Sequence, residues 1–203
     1  MKSFSNIWGT IISKFKRYGF FGVISRILTY TLSQFGIEYT KFLIYQKLLK
    51  SELLRTESEQ QQFSKLSISD FENQQKLNPS WFNAEKISSI RLAFAIKGTT
   101  AYGLFEGDLL ISYGFLSTSS LGLNNKIQLI ENDCYLWDAY THPCARGRRL
   151  HKLLTIYIER EAYKMGKNRA LVIVASFNKA SSKTYERLGY KISQNYYYIS
   201  YCS

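Results

Sequence analysis

At 203 residues, with 45% apolar and 21% charged residues, the chain has the composition of a globular domain with a sizeable core, not that of a disordered segment. A net charge of +12 points toward polyanionic partners: nucleic acid, an anionic membrane surface or a phosphate-bearing small molecule. Zinc-finger spacing and RNP-type aromatic patterns are missing, which places nucleic acid last, and no uncharged apolar run of ~18 residues reads as a spanning helix.

From the N-terminus, Phe4, Ile7, Trp8, Ile11, Ile12 and Phe15 recur at helical spacing. Gly19 and Gly22 interrupt the stripe, and Ile24, Ile27, Leu28 and Phe35 resume it. The charges here are Lys2, Lys14, Lys16, Arg17 and Arg26, with no acid before Glu38. Such a basic amphipathic stretch, 4–35, suits either a peripheral contact with the inner membrane surface or docking on the rest of the protein. Without a clean apolar leader and cleavage site, the expected location is cytoplasmic. The helical pattern continues from Glu38 to Leu54 through Phe42, Tyr45, Leu48 and Leu49. The polar run Thr56–Gln62 then marks a boundary, giving a basic helical extension at 1–62 and a globular domain at 63–203.

Leu66–Phe71 alternates weakly, as a first strand would, and Asn78-Pro79 marks a turn. Trp81–Phe94 fits a helix or a strand. From Thr99 the period becomes two: Ala101–Phe105, a turn at Glu106-Gly107-Asp108, and a returning strand over Leu109–Leu116. After a polar loop, Ser117–Asn125, and a short apolar run, Ile127–Ile130, the strand Tyr135–Thr141 is stopped by Pro143, which cannot donate to a ladder. The basic turn Arg146-Gly147-Arg148-Arg149 leads into a helix whose apolar face is Leu150, Leu153, Leu154, Tyr157 and Ile158, running to about Lys164. Ala170–Ala175 is continuously apolar, as in a strand covered on both faces. Asn178–Leu188 is helical, Gly189 closes it, and Tyr190–Tyr201 is a final strand. The cysteines Cys134, Cys144 and Cys202 are odd in number and, with His142 and His151, lack ligand-type spacing, so a reducing compartment and no metal are expected.

A strand feeding a cationic turn and a helix start can bind an anion, because the first turn leaves N–H groups unpaired and the macrodipole adds positive charge. An ordinary strand–loop–helix joint with solvated arginines is the alternative. Taken together, His142-Pro143-x-x-Arg146-Gly147-Arg148 and Asn178–Tyr190 resemble the GNAT superfamily of acyl-CoA-dependent N-acyltransferases. That family's turn reads Pro-x-x-Arg-Gly-x-Gly-x-Gly/Ala, and its later helix Asn-x-x-Ala-x-x-x-Tyr-Glu-x-x-Gly-Phe/Tyr. Asn178, Tyr185, Glu186, Gly189 and Tyr190 match the second pattern, with Ser181 in place of Ala. The resemblance covers about Leu66 to Tyr201 and implies an α/β (α+β) fold: a mixed central sheet flanked by helices, here with the N-terminal helical extension added.

It also implies acetyl-CoA as co-substrate and transfer of its acyl group to a primary amine, a small-molecule acceptor. Backbone amides from Arg146 through Gly147, Arg148, Arg149 and Leu150 to His151 would cradle the pyrophosphate, with charge from Arg146, Arg148, Arg149, Lys152 or Lys183. Tyr140 and Thr141 would hold the pantetheine arm like an added strand. Asn178 would contact that arm or simply cap its helix. Tyr185 would be the general acid for the departing thiolate, since a phenol with an ordinary pKa of about 10 stays protonated near neutrality; its alternative is a packed aromatic. Asp138 would orient or deprotonate the acceptor, or else bond locally on its strand. His142 and His151 lie beside the phosphate turn and read as structural. Arg149 and His151 depart from the family's small residues, and Arg149 would either crowd the pyrophosphate or add a cation beside it. The extension resembles that of enzymes of surface-polysaccharide synthesis, which suggests an amino-sugar acceptor. A non-catalytic module that binds a membrane or protein partner through 4–35 is the alternative function.

Overall fold

A computed structural model describes residues 37–55, 63–119 and 129–201. The amphipathic stretch 4–35 and Cys202 lie outside the described residues, and so do the membrane and partner contacts expected of that stretch. In chain order the elements are β1 (Ile37–Leu48), a short α1 (Glu52–Arg55), β2 (Ser64–Leu66), α2 (Ile68–Leu77), α3 (Ala84–Ala95), β3 (Thr99–Glu106) and β4 (Leu109–Ser117). Next come β5 (Asp133–Thr141), a 3-10 turn (Pro143–Ala145), α4 (Leu150–Lys164), β6 (Arg169–Ala175), α5 (Lys179–Arg187) and β7 (Lys191–Tyr201). The strands form a mixed seven-stranded sheet in the order β2-β3-β4-β5-β6-β1-β7. The chain divides into a larger unit, residues 48–171, and a smaller one that joins β1 to the segment from Val172 onward.

In the larger unit, β2, β3, β4 and β5 pair antiparallel in sequence. The β3–β4 hairpin closes on Gly107, whose φ of 58° is the left-handed conformation that the tight turn needs. The expected strand over Leu66–Phe71 is corrected: only Ser64–Leu66 is extended, and α2 starts straight after it. Ser67 ends the strand because its backbone N–H donates to the Asp70 carboxylate at 2.7 Å, a helix-start bond that weak alternation does not reveal. The ambiguous stretch Trp81–Phe94 is helical from Ala84, where Asn83 Oδ1 accepts from the Lys86 N–H at 2.8 Å. Phe71, Phe82, Ile87, Ile90, Tyr113 and Phe115 form the buried core under these two helices. Phe71 meets Tyr113 edge-on at 5.1 Å and stacks on Phe115 at 6.1 Å. Burying a side chain of this size contributes about 1.5–3 kcal/mol. Helix α4 crosses β4 at Gly114, where an added Cβ would come within 3.2 Å of Ile158 and 3.3 Å of Leu154. That glycine sets how closely α4, and with it the basic turn, approaches the sheet.

The smaller unit corrects the reading of Glu38–Leu54 as helix. Residues 37–48 are a strand, antiparallel to β7 from Ile37↔Tyr201 to Gln46↔Lys191. The extended conformation suits Ile37, Tyr39, Thr40, Phe42, Ile44 and Tyr45, which are β-branched or aromatic. Phe42 stacks on its cross-strand partner Tyr196 at 5.2 Å, and Ser176 N donates to Lys41 O at 2.8 Å. This part of the expected extension therefore lies within the sheet.

Candidate active site

Strand β5 enters the site through a break in its pairing. Tyr113 faces Tyr140 and Phe115 faces Trp137, so Asp138 and Ala139 together oppose the single residue Gly114. A bulge of this kind bends the strand and re-aims its side chains. Asp138 absorbs it with a φ of 46°, a conformation that short polar side chains tolerate better than most. Its Oδ2 accepts from Lys86 Nζ at 2.7 Å, and the same ammonium lies 5.6 Å from the Tyr113 ring centre. Asp138 thus holds a primary ammonium delivered from the first turn of α3, a contact with no counterpart on its own strand.

Past the bulge, the Tyr140 ring stacks on Tyr113 at 5.3 Å and tilts against Trp81 at 6.5 Å. Burial pushes its phenol pKa up, and the hydroxyl is shielded from solvent with no hydrogen-bond partner. The Tyr140 carbonyl accepts from Ser112 Oγ at 3.0 Å and the Thr141 carbonyl from Arg146 Nε at 3.4 Å. His142 presents its ring to Trp81 at 5.3 Å and places Nδ1 2.8 Å from the exposed Cys144 thiol.

The basic turn runs from Arg146 to Arg149, all exposed, and Leu150, 1% exposed, anchors the helix that follows. Gly147 has a φ of 84° with open space where a Cβ would stand. Arg149 is the N-cap of α4 and is itself left-handed, with φ 61° and ψ 16°; it contributes no capping side chain, and no acid occupies the first turn. Left-handed residues in such a turn draw successive N–H groups into a concave anion nest, here continuous with an uncapped helix start. The exposed arginines do not all face outward. Arg148 donates twice to Glu106 on the β3–β4 turn, at 2.7 and 3.0 Å, and these bonds hold the Glu106 carboxyl below the usual range. His151 is half-buried, and burial draws its imidazole pKa down, which keeps it neutral beside the turn. The donor set fits a pyrophosphate: a helix start with no side-chain cap and no acid in its first turn, open space at Gly147, and the cations of Arg146 and Arg149.

Asn178, Lys183 and Tyr185 belong to the smaller unit and form a group of their own on α5. Asn178 is the N-cap of α5, its Oδ1 accepting from Ser181 N at 3.3 Å. Lys183 is exposed, while Tyr185 is 6% exposed and packs against Tyr45 and Tyr190. Among the described residues, no cluster of three or more His, Cys, Asp or Glu side chains is arranged to hold a metal, and no helix is long and apolar enough to cross a membrane.

The family model for the acetyltransferase (GNAT) family matches residues 72–190, more than half of the chain. The chain belongs to the GNAT family of acetyltransferases. The sequence has no match among curated proteins. Its fold is similar to that of a structure described as a GNAT-family acetyltransferase from Novosphingobium aromaticivorans, at 14% identity and a TM-score of 0.56, covering 83% of this chain and 69% of that one. The glucosamine N-acetyltransferase region of a fungal multi-domain β-N-acetylglucosaminidase aligns at 14% identity and a TM-score of 0.56, over 87% of this chain and 23% of that one. An aminoglycoside N-acetyltransferase in complex with CoA aligns at 14% identity and a TM-score of 0.51, over 66% and 93%. At this identity the likeness is one of fold.

Within this GNAT frame, three contacts escape sequence reasoning: Lys86 on Asp138, Glu106 on Arg148, and Tyr45 beside Tyr185. The sequence singles out one member of each pair: Asp138, Arg148 and Tyr185. The other comes from a distant element, and no local spacing signals it.

Proposed function

We propose that this GNAT protein is an acyl-CoA-dependent N-acetyltransferase acting on a primary amine, with an amino sugar as acceptor. The observation that carries the reading is the Asp138–Lys86 pair: the carboxylate at the β5 bulge already grips a primary ammonium at 2.7 Å. An acceptor amine would take over that contact as Lys86 swings away, which orients the nitrogen and gives its proton a place to go. Bound acetyl-CoA would supply an activated thioester, whose acyl carbon forms a C–N bond as its C–S bond breaks. The amides from Gly147 to His151, with Arg146 and Arg149, would hold a pyrophosphate at the start of α4. Carbonyls of Tyr140 and Thr141 would accept from amide groups of an extended arm. The Tyr185 phenol would donate the proton that a departing thiolate requires. The exposed Trp81 ring, beside Tyr140 and His142, offers a flat apolar face against which a sugar ring can pack.

Calorimetry with acetyl-CoA, followed by thiol-release assays over a panel of amines that includes amino sugars, tests the reading. Saturable binding and CoA release with an amino sugar are expected, and Asp138→Asn should raise the acceptor KM by about tenfold with acetyl-CoA affinity unchanged. Binding without release from any amine would overturn the transfer reading, and absence of binding would overturn the cofactor site as well.

A further inference from the structure

We infer that Tyr45, on a strand outside the family-matched residues, is a positioning residue for Tyr185. The inference rests on the proposed role of Tyr185 and extends it to an element that no motif includes. Tyr45 is 1% exposed, and its hydroxyl donates to Glu186 Oε1 at 3.0 Å across 141 residues of sequence. Its ring centre lies 6.5 Å from that of Tyr185, against which the Tyr190 ring also stands edge-on at 5.3 Å. Tyr185 is thus flanked by two buried aromatic rings, and the residue after it is tied to one of them.

The backbone beneath Tyr45 is arranged for this. Ile44 pairs with Gln194 and Tyr45 with Ile192, so Ser193 is an extra residue on β7 opposite the junction. Ser193 Oγ donates to the Ile44 carbonyl at 3.2 Å and stitches the bulge closed. A bulge turns the side chain at its edge, and here that side chain is the one that reaches α5. On the far side, Lys47 Nζ sits 5.5 Å from the centre of the Tyr190 ring. Desolvation raises the Tyr45 pKa, so its hydroxyl stays protonated and able to donate.

The consequence is rotational. Helix α5 is only nine residues long, Lys179–Arg187, and Tyr185 sits near its end. The Tyr45–Glu186 bond fixes the last turn, and the two flanking rings fix the direction of the phenol. Loss of the hydroxyl alone leaves the packing intact but frees that turn.

The test places 3-fluorotyrosine at position 185 of the full chain and reads its fluorine resonance in wild type and in Tyr45→Phe. A shift and broadening of that resonance are expected, with the melting midpoint little changed and acetyl-CoA affinity within about twofold. In the same variant kcat should fall about fivefold with the acetyl-CoA KM unmoved, as misplacement of a reacting group predicts. Glu186→Ala should reproduce the loss, and the double variant should be no worse than the poorer single one. An unchanged resonance, or kcat losses that simply add, would overturn the inference. If the wild-type protein releases no CoA from any amine, the functional reading fails and the fluorine resonance alone decides the placement.

Discussion

The residue that the family pattern leaves most in question, Arg149, has a conformational explanation. Its φ of 61° is the left-handed region, where any side chain with a Cβ is strained and glycine is not. The family's glycine at this place and the arginine here therefore answer the same backbone demand, one at no steric cost and the other at a cost of about 1 kcal/mol. Arg149→Gly should raise the melting midpoint by roughly 2–4 °C, whereas Arg149→Ala, which keeps the Cβ, should not. Calorimetry on the same pair separates geometry from charge. A loss of acetyl-CoA affinity shared by both variants is the missing cation, and a gain in the glycine variant alone is relief of crowding. An alanine variant that gains as much stability as the glycine variant would remove strain from the account. Arg148 teaches a different lesson. Its basic character is plain in the sequence, but its engagement with Glu106 depends on how the β3–β4 hairpin meets the turn, which no local pattern encodes.

Between elements, what was legible is what local chemistry determines. The β3–β4 hairpin, the β5–turn–α4 joint, β6, α5 and β7 all follow from alternation, proline and glycine stops, or helical spacing. Strand β1 did not, because Phe42, Tyr45, Leu48 and Leu49 happen to fall at helical intervals. The deciding interaction, pairing with a strand some 150 residues on, is long-range. Its β-branched and aromatic content was the signal available. A second long-range tie is equally silent in sequence. Asp133, 1% exposed at the start of β5, receives two bonds from Arg169 at the start of β6, each of 2.7 Å, and one from Ile130 N at 3.1 Å. A buried carboxylate held this way is costly to disturb, because removing it strands the arginine and the amide that face it. Asp133→Ala should destabilise the protein by about 3 kcal/mol, and the loss should appear as a lowered denaturant midpoint with an unchanged slope. A change near zero would mean that water replaces the carboxylate without penalty.

At the scale of the whole chain, the question is where the folding unit begins. The family match starts at residue 72, and the polar run Thr56–Gln62 looks like a boundary, yet the sheet order places β1 between β6 and β7. Without β1, the eleven residues of β7 lose the partner they pair with from Lys191 to Tyr201. The smaller unit then loses Ile44 and Tyr45, 4% and 1% exposed, together with the Tyr45 bond to α5. Two buried side chains of that size are worth about 3–6 kcal/mol by area, a large share of the 5–15 kcal/mol that stabilises a typical domain. A protein comprising only residues 63–203 should therefore show no cooperative thermal transition, or one far below that of the full chain. Adding a peptide of residues 37–48 should restore part of it, because strand pairing can be supplied in trans where the slot is open. Calorimetric melts of the three samples decide the matter. A shortened protein that melts cooperatively near the full-length midpoint would put the boundary back at the polar run and make β1 an accessory. The expected failure would instead make the N-terminal strand part of the acetyltransferase fold itself, and the residue it presents to α5 part of how that fold places its tyrosine.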